Sequence, residues 1–142
     1  MAKIREYELP DDLAYHEQHM WVRVEGDEAV VGVTDFTSKA AGEITFIELP
    51  SEGDTFEAGD LAGSLETGKW MGKIYAPVGG EVVAVNEAAA DEPAGINADP
   101  YGKGWLFRLK MSDPSQVDGL MKGAAAAAWL EGEIAKHFDK AK

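Results

Sequence analysis

The chain of 142 residues contains no cysteine and carries a formal net charge of −13. Its length suits one modest hydrophobic core, and the missing thiols exclude disulfides, thiolate metal sites and cysteine nucleophiles, so any thiol chemistry must arrive on an attached group. The acidity argues against nucleic acid, whose phosphates need clustered Lys and Arg, and favours protein partners with basic docking surfaces, met by a soluble monomer.

No run approaches the roughly 18 apolar residues of a membrane span. Residues 1–10 are charged throughout, unlike a secretory signal peptide. The expectation is a cytoplasmic protein with no membrane partner.

Alternating apolar and polar residues predict half-buried strands over residues 21–25, 28–34, 43–49, 61–67, 81–86 and 105–110. Gly26-Asp27, Gly53-Asp54, Gly59-Asp60 and Gly79-Gly80 punctuate them as turns. Thr34 or Asp35 is a candidate N-cap for a short helix, and another helix is expected after Ser112-Asp113-Pro114. The alanine run at 124–128 opens a longer helix reaching about residue 138, whose Trp129, Ile134 and Phe138 can dock on the β-core or meet a partner. The fold class is therefore mainly β: a flattened barrel or sandwich with peripheral short helices and a C-terminal helix. A single domain is expected over residues 1–142, with its β-core near 15–110 and its helical segment near 113–139. Gly42-Glu43-Ile44-Thr45-Phe46-Ile47-Glu48 and Gly80-Glu81-Val82-Val83-Ala84-Val85-Asn86 share a turn glycine, a glutamate and alternation. They read as two related halves or as two generic strands.

Lys69 stands in Leu65-Glu66-Thr67-Gly68-Lys69-Trp70-Met71-Gly72-Lys73, between two extended runs with glycine on both sides. That setting suggests a hairpin tip, accessible to a modifying enzyme and preceded by the negative handle of Glu66. An acylated lysine loses its charge but keeps its long stem, which makes it an arm. A dithiolane on that arm lets a cysteine-free protein pass groups by thiol–disulfide exchange. Trp70 and Met71 are either local packing contacts or an apolar patch that serves the arm or a docking partner.

Other chemistries lack an anchor. His16, His19 and His137 are scattered, no serine has a nucleophile-elbow context, and His16 with His19 lacks further metal ligands at usable spacing. The histidines read as surface or interface groups. Gly63-Ser64-Leu65-Glu66-Thr67-Gly68-Lys69 lacks the spacing of a phosphate-binding loop, and the segment from Asn97 through Phe107 packs turn formers against an aromatic strand.

Over residues 15–130 the chain resembles the glycine cleavage system H protein family, small lipoyl carriers on a biotinyl/lipoyl-type flattened β-barrel, or barrel-sandwich hybrid. The resemblance is carried by His19-Met20-Trp21-Val22-Arg23-Val24-Glu25-Gly26-Asp27, Val31-Gly32-Val33-Thr34-Asp35-Phe36, Gly42-Glu43-Ile44, Glu48-Leu49-Pro50, Ile74-Tyr75-Ala76-Pro77-Val78-Gly79-Gly80-Glu81-Val82, Asp99-Pro100-Tyr101-Gly102 and Gly104-Trp105-Leu106. It implies a carrier rather than an enzyme, with lipoate bound covalently to Lys69, which follows a glutamate by three residues and precedes a tyrosine by six, as in the family. Gly63, Glu66, Thr67, Gly68, Trp70, Met71 and Lys73 are then candidates for ligase recognition or for the surroundings of the arm.

The family's Glu-Ser-Val-Lys-Ala is here Glu66-Thr67-Gly68-Lys69-Trp70, its acidic residue before Ile-Tyr is Lys73, and its His-Glu-Trp is His19-Met20-Trp21. This variant looks like the lipoate-binding proteins found with the heterodisulfide reductase-like system of sulfur-oxidising prokaryotes. The expected function is therefore carriage of sulfur-containing intermediates to a heterodisulfide reductase-like complex, with a lipoate–protein ligase and a dihydrolipoamide dehydrogenase as further partners. The alternatives are an H protein carrying the aminomethyl group in glycine cleavage, and an interaction module that bears no lipoate.

Overall fold

The computed structural model describes residues 2–4, 7–10, 12–68 and 71–141. Its first elements are β1 (Ala2–Ile4), β2 (Tyr7–Leu9), β3 (Ala14–His16), β4 (Met20–Glu25), β5 (Glu28–Val33) and the helix α1 (Asp35–Ala41). Then come β6 (Ile44–Glu48), β7 (Thr55–Phe56), β8 (Leu61–Thr67), β9 (Met71–Tyr75) and β10 (Gly80–Val85). The short helices α2 (Glu87–Asp91) and α3 (Ala94–Ala98), strand β11 (Phe107–Met111), a 3-10 helix (Pro114–Gly119) and α4 (Gly123–Ala141) complete the chain.

The strands form a six-stranded sheet in the order β3-β4-β5-β11-β10-β7, a three-stranded sheet in the order β6-β8-β9, and the hairpin β1-β2. Every pairing is antiparallel. This is the mainly β architecture with short helices and a C-terminal helix that the alternation predicts.

The two larger sheets face each other across the main core. Val22, Val31, Val82 and Leu109 point inward from the six-stranded sheet, and Ile44, Ile47, Leu65 and Ile74 from the three-stranded one, with Ile96 of α3 packed among them. A second cluster lies behind the six-stranded sheet, where Trp21 and Val30 pack with Ala126, Leu130 and Ile134 of α4. Strand β5 is thus buried on both faces, which is why it reads Ala29-Val30-Val31-Gly32-Val33 with hardly a polar residue.

Sequence motifs far apart meet in this second layer. The Trp21 indole donates to the Pro100 carbonyl at 2.9 Å, and its ring lies against the Tyr101 ring at 6.0 Å. Gly32, opposite Trp21 in the β4–β5 ladder, leaves room for that ring, since a Cβ there would stand 2.6 Å from indole atoms.

The structure also departs from the sequence reading. Strands β1, β2, β3 and β7 and the helices α2 and α3 lie outside the predicted elements, because runs of two to five residues are too short for periodicity to register; β9 is the extended run expected after Lys69, here with its bounds. The helix after Pro114 is a single 3-10 stretch. The two echoing segments lie in different sheets, and Gly80 sits within β10 rather than in a turn, where a Cβ would collide with the Lys110 carbonyl.

Candidate functional site

Lys69 and Trp70 lie outside the described residues. Their neighbours on both sides are described: β8 and β9 pair antiparallel down to Glu66 opposite Met71, so four residues link the two ladders. Gly68 is exposed, and an added Cβ there would meet nothing within 4 Å, so neither packing nor backbone geometry demands a glycine at that position. Glu66 and Lys73 are exposed, as is Met71, while Thr67 is half-buried.

Gly63 has a packing reason of its own. A Cβ at that position would run into the Glu48 carbonyl oxygen, so glycine allows β6 and β8 to come together.

Beside this ladder lies a cleft of about 340 Å³ between the two sheets. Leu65, Met71, Gly72, Lys73 and Tyr75 line it from β8 and β9; Gln18, His19, Met20, Val33 and Thr37 line it from the opposite wall. That wall is built by two local devices. In the first, the β3–β4 turn closes through His19 N–H donating to the His16 carbonyl at 3.0 Å, with His19 in the left-handed region at φ 66°. In the second, Thr34 caps α1 by accepting from the Thr37 N–H at 3.4 Å.

His19 is not the surface group that its sequence setting suggests. Its ring packs between Phe36 at 5.1 Å and Trp129 at 4.7 Å, because the α4 helix covers it. Its Nε2 lies 3.0 Å from Glu133 Oε1 and, facing a carboxylate that can only accept, carries the proton. Its Nδ1 is buried and has no hydrogen-bond partner among the described residues. Burial pushes the imidazole below its ordinary value, with Glu133 opposing the shift. The ring is therefore neutral near pH 7, with a bare acceptor at Nδ1.

The cleft fits a lipoyl group. Apolar atoms from Met20, Val33, Leu65 and Met71 suit an aliphatic chain, and Gln18, Thr37, Lys73 and Tyr75 supply polar contacts. Among the described residues no Asp or Glu lines it. Of the sequence candidates, the structure brings Met71 and Lys73 to the cleft; Gly63, Glu66, Thr67 and Gly68 do not line it. The sequence reading missed Gln18, His19, Met20, Val33, Thr37, Leu65, Gly72 and Tyr75 as lining residues, and no local pattern marks them. Among the described residues no group of three His, Cys, Asp or Glu side chains could hold a metal ion, and no helix is long and apolar enough to cross a membrane.

Comparison with known proteins points one way. The family model described as "Glycine cleavage H-protein" matches residues 13–133. The glycine cleavage system H protein of Magnetococcus marinus is 43% identical over 87% of this chain and 88% of its own length. That of Halalkalibacterium halodurans is 48% identical over 80% of this chain and 88% of its own. The crystal structure of a glycine cleavage system H protein from Mycobacterium marinum superposes with a TM-score of 0.78 at 35% identity, covering 87% of this chain and 99% of that one. Matched along nearly its whole folded length, the chain belongs to the glycine cleavage H-protein family, whose members are carriers with lipoate bound covalently to a lysine and not catalysts.

Proposed function

We propose that Lys69 is the lipoylated residue and that the chain works as the aminomethyl carrier of a glycine cleavage system. A lipoate–protein ligase loads it, a dihydrolipoamide dehydrogenase resets it, and the remaining glycine cleavage enzymes exchange its cargo. The observation that carries this reading is the register of β8 and β9, which ends at Glu66 opposite Met71, beside the mouth of a mainly apolar cleft. When bound, the lipoyl group would supply a disulfide–dithiol couple that carries cargo on sulfur. The protein's own residues shelter it: Leu65, Met20 and Val33 exclude water, and Gln18 and Thr37 offer uncharged polar groups. The names of the relatives support glycine cleavage over the sulfur-oxidation role expected from the sequence variant.

One observation favours the second reading. A protonated aminomethyl group gains from a nearby carboxylate, yet among the described residues lining this cleft the basic side chain besides His19 is a lysine, Lys73. A cationic rim suits anionic sulfur cargo, and the heterodisulfide reductase-like complex is the partner in that reading.

The test is the intact mass of protein purified from its native host, with peptide mapping around residue 69 and identification of co-purifying proteins. A lipoyl adduct on Lys69 with glycine cleavage enzymes supports the first reading. The same adduct with iron–sulfur reductase subunits selects the second. An unmodified Lys69 overturns both and leaves an interaction module.

A further inference from the structure

Strand β6 contains an irregularity with a directional effect. Its pairing with β8 shifts register between Ile44 and Phe46, so that Thr45 and Phe46 are both exposed while Ile44 and Ile47 are both buried. Strict alternation would put Phe46 on the same face as Ile44, inside the core. The extra residue turns it outward instead, and Thr45 Oγ1 donates to the Glu66 carbonyl at 3.2 Å across the bulge. A phenylalanine is thereby 52% exposed on a strand whose apolar neighbours are almost fully buried.

The register shows what Phe46 joins. Phe46 pairs with Glu66, and Glu66 pairs with Met71, so the three stand in one row across β6, β8 and β9. Residues directly opposite in antiparallel strands project to the same face, which sets a carboxylate between two apolar side chains. Met71 is 67% exposed. Two residues along β6 the next row holds Glu48, Ser64 and Lys73, all on partners of the same ladders. The Phe46–Glu66–Met71 row lies on the sheet, with Glu66 three residues before Lys69 and Met71 two residues after it.

We propose that the Phe46–Glu66–Met71 row is the docking surface for the enzyme that acylates Lys69. The inference rests on the reading of Lys69 as the modified residue. An acylating enzyme must draw one lysine of the chain into its active site, and it needs a grip on structure that does not move with the target. A sheet face supplies that grip, and the row specifies its counterpart: two apolar slots, for Phe46 and Met71, flanking a cation for Glu66. Glu66 has no ion partner among the described residues and the chain bears a net −13, so the row favours a basic counterpart. Phe46 does not line the arm's cleft. Its loss therefore separates docking from arm shelter, which a change at Met71 does not.

The experiment measures acylation of the full chain by a lipoate–protein ligase from the same host, with lipoate and ATP, as a function of carrier concentration. Phe46→Ala is compared with wild type and with Val24→Ala, an exposed apolar residue on β4 in the other sheet. Unchanged melting temperatures establish that both variants are folded. The expected result is a rise of about tenfold in KM for Phe46→Ala, the effect of removing an aromatic anchor, with kcat and the Val24→Ala control unchanged. Acylation of Phe46→Ala at the wild-type rate overturns the docking surface while leaving Lys69 as the modified residue. The face then serves another occupant, a second copy if sedimentation shows a dimer that the variant loses, or an enzyme acting on the loaded arm. If the wild-type chain is not acylated at Lys69, the carrier reading fails and this inference with it.

Discussion

His19 Nε2 and Glu133 Oε1 stand 3.0 Å apart across 114 residues of sequence, joining the turn that walls the cleft to the helix α4. The contact is polar on one side and aromatic on two others, with Phe36 and Trp129 flanking the ring. Cleft geometry and docking of the C-terminal helix are therefore coupled through one side chain.

That coupling has a pH signature. Burial is the larger influence on His19 and lowers its affinity for a proton below the ordinary value of 6.5, while Glu133 pulls the other way. The unfolded chain then binds the proton first as pH falls, so the stabilisation is complete above 6.5 and is lost as pH drops through the depressed folded value. His16 is shifted in the same direction, chiefly by burial with Glu17 opposing, and adds to the slope. Melting temperature should fall as pH drops below about 6.5. His19→Asn, which tolerates the left-handed backbone, should flatten part of that fall and cost about 1–3 kcal/mol at the upper end. An unaltered pH profile in the variant would remove His19 from the account.

Gly63 tests whether packing or recognition explains a glycine before the hairpin. Gly63→Ala places a methyl against the Glu48 carbonyl, which must shift, so the variant should lose about 1–3 kcal/mol in urea unfolding. Its folded fraction should still be acylated normally. Wild-type stability with poor acylation would instead mark Gly63 as a recognition residue.

Asn97 fastens α1 to β6. Its Oδ1 accepts from the Ile44 N–H at 2.8 Å, and its Nδ2 donates to the Ser38 and Gly42 carbonyls, each at 2.8 Å. Asn97→Ala strands three backbone groups, and a loss of about 2–4 kcal/mol is expected. A loss below about 1 kcal/mol, the worth of one ordinary hydrogen bond, would show that water replaces the side chain.

Lys73 decides between the two cargoes. Lys73→Glu changes the sign of the charge at the cleft and should raise glycine-dependent loading of the arm by up to about fivefold, the range of exposed ion pairs. No change would mean that Lys73 does not sense the cargo.

The sequence by itself determined most of the strands, the Thr34 cap of α1 and the segment that joins β8 to β9. Alternation, capping and turn formation are local properties that survive without knowledge of partners. The family resemblance was legible for the same reason, in short motifs such as Asp99-Pro100-Tyr101-Gly102. Only the tertiary structure decided what those motifs touch. The burial of His19 depends on Trp129, and the cleft on residues drawn from both sheets and α1. The exposure of Phe46 follows from one extra residue in β6, where hydrogen-bond register between strands overrules the alternation written along the chain.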